Sequence, residues 1–234
     1  MQNETYNRRV LLYSGGMDSW LIDKIWKPDV RLFVDMGTAS SRAERTRLPE
    51  GVEIVEFQSL GQFERQSDFI LPLRNLYLLA IASMYGDEIC LGANATDANL
   101  DKTPEFAQRA SELLTYMYGP QKWTNARNIR VNVNFRAYTK GDLLRLYLEG
   151  GGDWETTYQE TFSCFTPKDG RECHCCRACF LKMAAFFDAG VRLPAEIMKS
   201  YLPYIRAKVD APEYIDRLYS KEWYKNLLRE YDTR

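Results

Sequence analysis

The sequence predicts an α/β protein: a doubly wound, mostly parallel five-stranded sheet, followed by a C-terminal helical, cysteine-rich segment. Three observations carry this. Short apolar runs alternate with helical segments through the first two thirds of the chain. A glycine-serine turn, SGGMDS, follows the first run directly. Five of the six cysteines crowd between Cys164 and Cys179.

The elements follow in order. Arg9–Tyr13 (RVLLY) reads as a short buried strand and Asp18–Trp26 as a helix. Val30–Asp35 (VRLFVD) is the second strand, and Val52–Phe57 (VEIVEF) the third, with only a short helical turn before it. Leu73–Tyr85 is apolar all round without breakers, as a buried helix is. Glu88–Gly92 (EICLG) is the fourth strand, and Pro104–Tyr118 a helix with proline in its first turn. Ile129–Val133 (IRVNV) is the fifth strand; Lys140–Glu149 is an amphipathic helix stopped by Gly150–Gly152. A helix is expected over Phe180–Ala189, then a stretch rich in Tyr, Lys and Arg over Pro194–Arg234. The expected division is an α/β domain over residues 1–160 and a cysteine-rich helical segment over 161–234, packed as one unit.

Composition bounds the function. The 234 residues suffice for one sizeable core. A formal net charge of −1 weighs against a broad electrostatic footprint for tRNA or DNA. The N-terminus is polar and no apolar run approaches ~20 residues, so neither a secretory nor a membrane segment is expected. A cytoplasmic, reducing location follows, where the cysteines would not form a disulfide framework.

In a doubly wound sheet, ligands bind at the carboxyl ends of the strands. The stretch Tyr13, Ser14, Gly15, Gly16, Met17, Asp18 and Ser19 lies at such an end. Its glycines let backbone N–H groups approach phosphate oxygens, its hydroxyls can donate, and the following helix points its positive end there. A Gly-Gly turn with Asp18 or Ser19 capping a helix would account for the same letters without a ligand.

Cys164, Cys173, Cys176 and Cys179 are spaced C-x8-C-x2-C-x2-C. Thiolates at this spacing converge on one ion, and four of them make a closed tetrahedral zinc site; an iron–sulfur cluster is the rival. His174, the single histidine, and Cys175 offer alternative ligands, but the even spacing favours the four. Cys90, inside a strand, reads as a small core residue.

SGGMDS resembles the SGGxDS signature of PP-loop ATP pyrophosphatases, which adenylate a carbonyl or carboxyl oxygen and release pyrophosphate. Further motifs narrow the resemblance. The cysteine spacing, LPLRNLYLLAIASMYG (Leu71–Gly86), LGANATDANLDKTPEF (Leu91–Phe106) and TKGDLLRLYLEGGGDWETTYQETFSCF (Thr139–Phe165) are similar to motifs of the 7-cyano-7-deazaguanine synthase family, in the right order.

The resemblance implies that 7-carboxy-7-deazaguanine is adenylated by ATP, aminated by ammonia, and dehydrated to the nitrile in a second activation. It implies ATP, Mg²⁺ and Zn²⁺ as cofactors and a homodimer, with no membrane partner and no direct nucleic-acid contact. Ser14, Asp18, Ser19 and Arg74 would carry catalysis; Arg74, Asn75, Asn94, Asp97, Asp101, Lys102 and Glu105 would meet the substrate.

The sequence departs from the family at Asp35–Glu44 (DMGTASSRAE), where the family has Y-G-Q-x-H; only Gly37 is kept. That leaves room for a relative that stops at the amide, or that adenylates another carboxyl or a tRNA base. A non-catalytic zinc module that binds nucleic acid is a further alternative.

Overall fold

The computed structural model describes residues 7–164, 166–211 and 218–231. Residues 1–6, Phe165, 212–217 and 232–234, which include the polar N-terminus and parts of the C-terminal stretch, lie outside the described residues. The chain divides into two compact units, Met1–Tyr138 and Thr139–Arg234. The sequence alone drew this line near residue 160; the helix Lys140–Glu149 belongs with the cysteine-rich part.

The first unit holds a five-stranded sheet in the order β3-β2-β1-β4-β5, every pair parallel. The strands are β1 (Arg9–Leu12), β2 (Val30–Asp35), β3 (Glu53–Glu56), β4 (Glu88–Cys90) and β5 (Arg130–Asn132). The inner strands are covered on both faces, which is why they read as nearly continuous apolar runs. β3 is the exception: it lies at the sheet edge, and its Glu53 and Glu56 face water, as an edge strand requires.

Helices α1 (Met17–Trp26), α2 (Ala39–Arg45), α3 (Arg74–Ala82) and α4 (Pro104–Met117) complete the unit. Val10, Leu12, Leu32 and Val34 of the strands join Leu79 and Ala82 of α3 and Ala107, Ala110 and Leu114 of α4 in one core cluster. β1 pairs with β2 on one side and β4 on the other, so the strand order reverses there. Right-handed crossovers then send helices to opposite faces and open a crevice at the carboxyl end of β1.

The second unit contains α5 (Lys140–Glu149), α6 (Trp154–Glu160), α7 (Arg177–Asp188), α8 (Ala195–Lys199), α9 (Leu202–Asp210) and α10 (Lys221–Tyr231). α7 begins three residues before the expected start because Cys176 caps it, its Sγ accepting from the Cys179 N–H. The aromatic residues of the C-terminal stretch pack inward. Phe180 stacks between Tyr204 and Tyr224, each at a centroid distance of 5.1 Å, and Trp223 meets it edge-on at 5.9 Å.

Among the described residues, no helix is long and apolar enough to cross a membrane.

Candidate active site and metal site

β1 ends at Leu12, and the chain turns through Ser14, Gly15 and Gly16 into α1. Gly15 has φ +74°, a conformation that an L side chain resists. Gly16 is the N-cap of α1 and has no side chain to satisfy the helix N–H groups, so they stay available to an anion. The turn is braced from within: Ser19 Oγ accepts from the Ser14 N–H at 3.2 Å and donates to the Gly16 carbonyl at 3.0 Å. Ser14 Oγ stands 3.3 Å from Ser19 Oγ.

Beside this turn lies a cavity of about 220 Å³. Three helix N-termini meet there. α1 contributes Gly16, Asp18 and Ser19; α2 contributes its cap Thr38, with Ser40, Ser41 and Glu44; α3 contributes Arg74 and Asn75. Lys102 reaches in from a short 3-10 turn. Converging helix N-termini, Arg74 and Lys102 give the wall donors that suit an anion, beside the carboxylates of Asp18 and Glu44.

Of the loop, Tyr13, Ser14, Gly16, Asp18 and Ser19 line the cavity; Met17 turns into the core instead. Arg74, Asn75 and Lys102 are brought together with them. Asn94, Asp97, Asp101 and Glu105 are not in the cavity wall. Asn94 Oδ1 accepts from the Thr96 N–H at 2.8 Å and Asp97 Oδ2 from the Asn94 N–H at 2.9 Å, which makes a tight Asx turn. Asp97 in turn holds Lys102 Nζ at 2.6 Å, and Asn75 donates to the Asp101 carbonyl at 3.3 Å. Glu105 is exposed and pairs with Arg109 one helical turn on.

The sequence pointed to Asp35–Glu44 only as a departure; the structure makes it a wall. Asp35, at the end of β2 and 2% exposed, collects four donors. Gly37 N–H (3.0 Å) and Ser41 Oγ (3.1 Å) reach Oδ1; Arg45 Nη1 (2.7 Å) and Gln58 Nε2 (3.0 Å) reach Oδ2. Burial alone would raise this carboxyl; the donors, Arg45 first, bring it below its ordinary 3.8. Gly37 has φ +71°, and a Cβ there would lie 2.3 Å from the Gln58 carbonyl oxygen. Thr38 caps α2 by accepting from the Ser41 N–H at 3.1 Å. Ser41 and Glu44, three apart, therefore share the cavity face. Burial lifts the Glu44 carboxyl to about 7, against the pull of the Arg74 guanidinium.

In the second unit the Sγ atoms of Cys164, Cys173, Cys176 and Cys179 all lie within 4.8 Å of one another. Four bonds of ~2.3 Å to one tetrahedral ion set sulfurs about 3.8 Å apart, so the cluster suits zinc. Burial raises the Cys173 thiol, but hydrogen bonds from Thr166 and the Cys175 backbone outweigh it and bring it to about 6. Cys175 is exposed and outside the cluster, and His174 packs on the Tyr201 ring at 4.6 Å. Cys90 is buried in the first unit, its thiol pushed up to about 12 by burial.

Sequence reasoning missed Lys182. It is 1% exposed, and its Nζ donates to the Thr161 carbonyl (2.6 Å), the Tyr158 carbonyl (2.9 Å) and Glu172 Oε2 (3.0 Å). Glu172 Oε1 accepts from the Ser163 N–H at 2.6 Å. This buried pair ties together the segments carrying Cys164 and Cys173. A single cation within the apolar run CFLKMAAFF was the available signal.

A parallel α/β sheet with a phosphate-type turn after its first strand, followed by four cysteines that could hold a metal ion, defines a PP-loop α/β protein. Residues 29–190 match the family model described as "Queuosine biosynthesis protein QueC". The chain belongs to this family of biosynthetic enzymes. A 7-cyano-7-deazaguanine synthase of Xanthomonas campestris is 32% identical over 221 residues, covering 80% of this chain and 96% of that one. The enzyme of the same name from Methanopyrus kandleri is 28% identical over 236 residues, covering 81% and 98%. That of Thermoplasma acidophilum is 31% identical over 137 residues, about half of each chain (55% and 54%).

Proposed function

We propose that this protein is an ATP-dependent carbon–nitrogen ligase. It would convert 7-carboxy-7-deazaguanine and ammonia to 7-cyano-7-deazaguanine through an acyl adenylate and an amide. One observation carries the reading: the serine-glycine turn, two further helix N-termini and Arg74 meet in a single cavity at the strand-order reversal. Relatives named 7-cyano-7-deazaguanine synthase, aligned over nearly their full length, support the choice of product.

The chemistry suits the residues. A carboxylate is a poor electrophile until an oxygen is carried off as AMP. The barrier is lowered by placing the carboxylate against the α-phosphate and stabilising charge on the phosphate oxygens. Ser14, Gly15, Gly16 and Ser19 would cradle the pyrophosphate, and Asp18 would hold the Mg²⁺ that accompanies ATP. Arg74 would bridge substrate carboxylate and phosphate with its two-pronged donor. Lys102, fixed by Asp97, adds a second charge, and Asn75 a neutral contact. Zinc on the four cysteines would serve structure.

The test incubates zinc-loaded protein with 7-carboxy-7-deazaguanine, ammonium, ATP and Mg²⁺, with products read by mass spectrometry. The expected result is the nitrile, with AMP and pyrophosphate, and at least a 10²-fold loss in Asp18→Ala. Amide alone would favour a relative that stops one step earlier, which the replaced Asp35–Glu44 wall makes the natural second reading. Unchanged acid would refute the substrate assignment.

A further inference from the structure

Amination of an acyl adenylate needs a proton acceptor. At neutral pH ammonia is almost wholly ammonium, which has no lone pair with which to attack. Among the described residues, no histidine lines the cavity. A carboxylate of the cavity wall can serve as the acceptor.

The titratable groups of that wall are Tyr13, Asp18, Glu44, Arg74 and Lys102. Arg74 stays charged throughout. Lys102 is held by Asp97 at 2.6 Å. Asp18 stands in the first turn of α1, where phosphate and its metal are proposed to bind. Tyr13 is buried at the end of β1.

Glu44 is placed differently. It is half-buried, it faces the cavity from α2, and its carboxylate accepts no hydrogen bond from another described residue. The cations on its own segment are engaged elsewhere: Arg42 on the Gly37 carbonyl, Arg45 on Asp35 and Glu56, Arg47 on the Ala43 carbonyl. From α3, the Arg74 guanidinium is the charge that faces it.

We infer that Glu44 is the general base that deprotonates ammonium for attack on the activated carboxyl. The inference rests on the function proposed above. The Glu44 carboxylate takes one proton from ammonium. The freed ammonia forms the N–C bond, and the C–O bond to AMP breaks with its electron pair on the phosphate oxygen. The second N–H proton leaves with that phosphate as the amide forms. Burial sets Glu44 near neutrality, where a base is both free and strong enough to act.

The test compares wild type with Glu44→Gln in two assays. One is ATP–pyrophosphate exchange driven by 7-carboxy-7-deazaguanine; the other is product formation with ammonium or with hydroxylamine, which is neutral at neutral pH. In Glu44→Gln, exchange should stay within about twofold, while turnover with ammonium falls roughly 10²–10⁴-fold. Hydroxylamine should still give the hydroxamate. The wild-type rate at fixed total ammonium should rise with pH and level off above about 7, whereas the variant's residual rate should keep climbing with the free-ammonia fraction. Full ammonium turnover in the variant overturns the inference. So does a matching loss of exchange, which would make Glu44 a substrate-recognition residue. No exchange in wild type overturns the function itself, and this inference with it.

Discussion

Replacing Lys182 with methionine keeps the stem that fills α7's buried face and deletes only the charge. The three bonds to Thr161, Tyr158 and Glu172 are lost. Glu172, whose side chain is 9% exposed, then keeps its charge with one remaining contact, the Ser163 N–H. Breaking a buried pair from one side costs about 3–5 kcal/mol. Whole domains are stable by roughly 5–15 kcal/mol, so the loss is a large share. Adding Glu172→Gln removes the stranded charge while leaving an acceptor for Ser163. The double variant should recover at least ~1 kcal/mol relative to Lys182→Met alone, the coupling expected of direct contacts.

Because the pair braces the chain on both sides of Cys164 and Cys173, zinc affinity should fall about 10–100-fold in the single variant. The assays are urea unfolding at fixed free zinc, since bound metal itself shifts stability, and competition with a chromophoric chelator. A loss below ~1 kcal/mol with unchanged zinc affinity would refute the reasoning. So would a double variant no more stable than the sum of the two singles.

Two further outcomes follow from the cavity wall. Asp35→Asn should destabilise by roughly 2 kcal/mol at neutral pH, Arg45 being partly solvated and the pair weaker for it. The folded carboxyl lies below 3.8, so its contribution is complete above that pH and lost as pH falls through the folded value. Urea midpoints of wild type and variant should therefore converge in acid, and a constant gap would contradict the linkage. Gly37→Ala should cost about 2–4 kcal/mol, combining left-handed strain with a Cβ 2.3 Å from the Gln58 carbonyl. Thermal unfolding reads it, and a neutral outcome would mean that the 3-10 turn at Gln58–Phe63 yields freely.

The sheet was legible because doubly covered strands leave an apolar signature that short range alone produces: VRLFVD was read to the residue. The helix Lys140–Glu149 was equally plain, its Thr139–Asp142 capping box and terminal glycine marking both ends. α6 was passed over. WETTYQE carries two β-branched residues and no apolar stripe, and the Asp153 cap, accepting from the Thr156 N–H at 2.7 Å, makes the start. α2 was expected as a bare turn, since ASSRAER lacks periodicity; it is assembled by Asp35, 6 residues before Ser41 and 10 before Arg45, through side-chain bonds that no helical period records.

The site divides in the same way. The phosphate turn and the cysteines are local patterns, and local patterns can be read. Glu44 is one acid in a polar stretch, and Lys182 one cation in an apolar run. Their importance comes from partners distant in sequence, Arg74 for the first and Glu172, Thr161 and Tyr158 for the second.

α2 is fastened at both ends to the sheet margin, by Gly37 entering through Asp35 and by Arg45 bridging Asp35 and Glu56. Of what lies between, Thr38, Ser40, Ser41 and Glu44 line the cavity, and the segment contributes nothing to strand pairing. Where Thr38 and Ser41, which build α2, are kept, the letters around them can be rewritten and the cavity wall changed while the sheet is inherited unaltered.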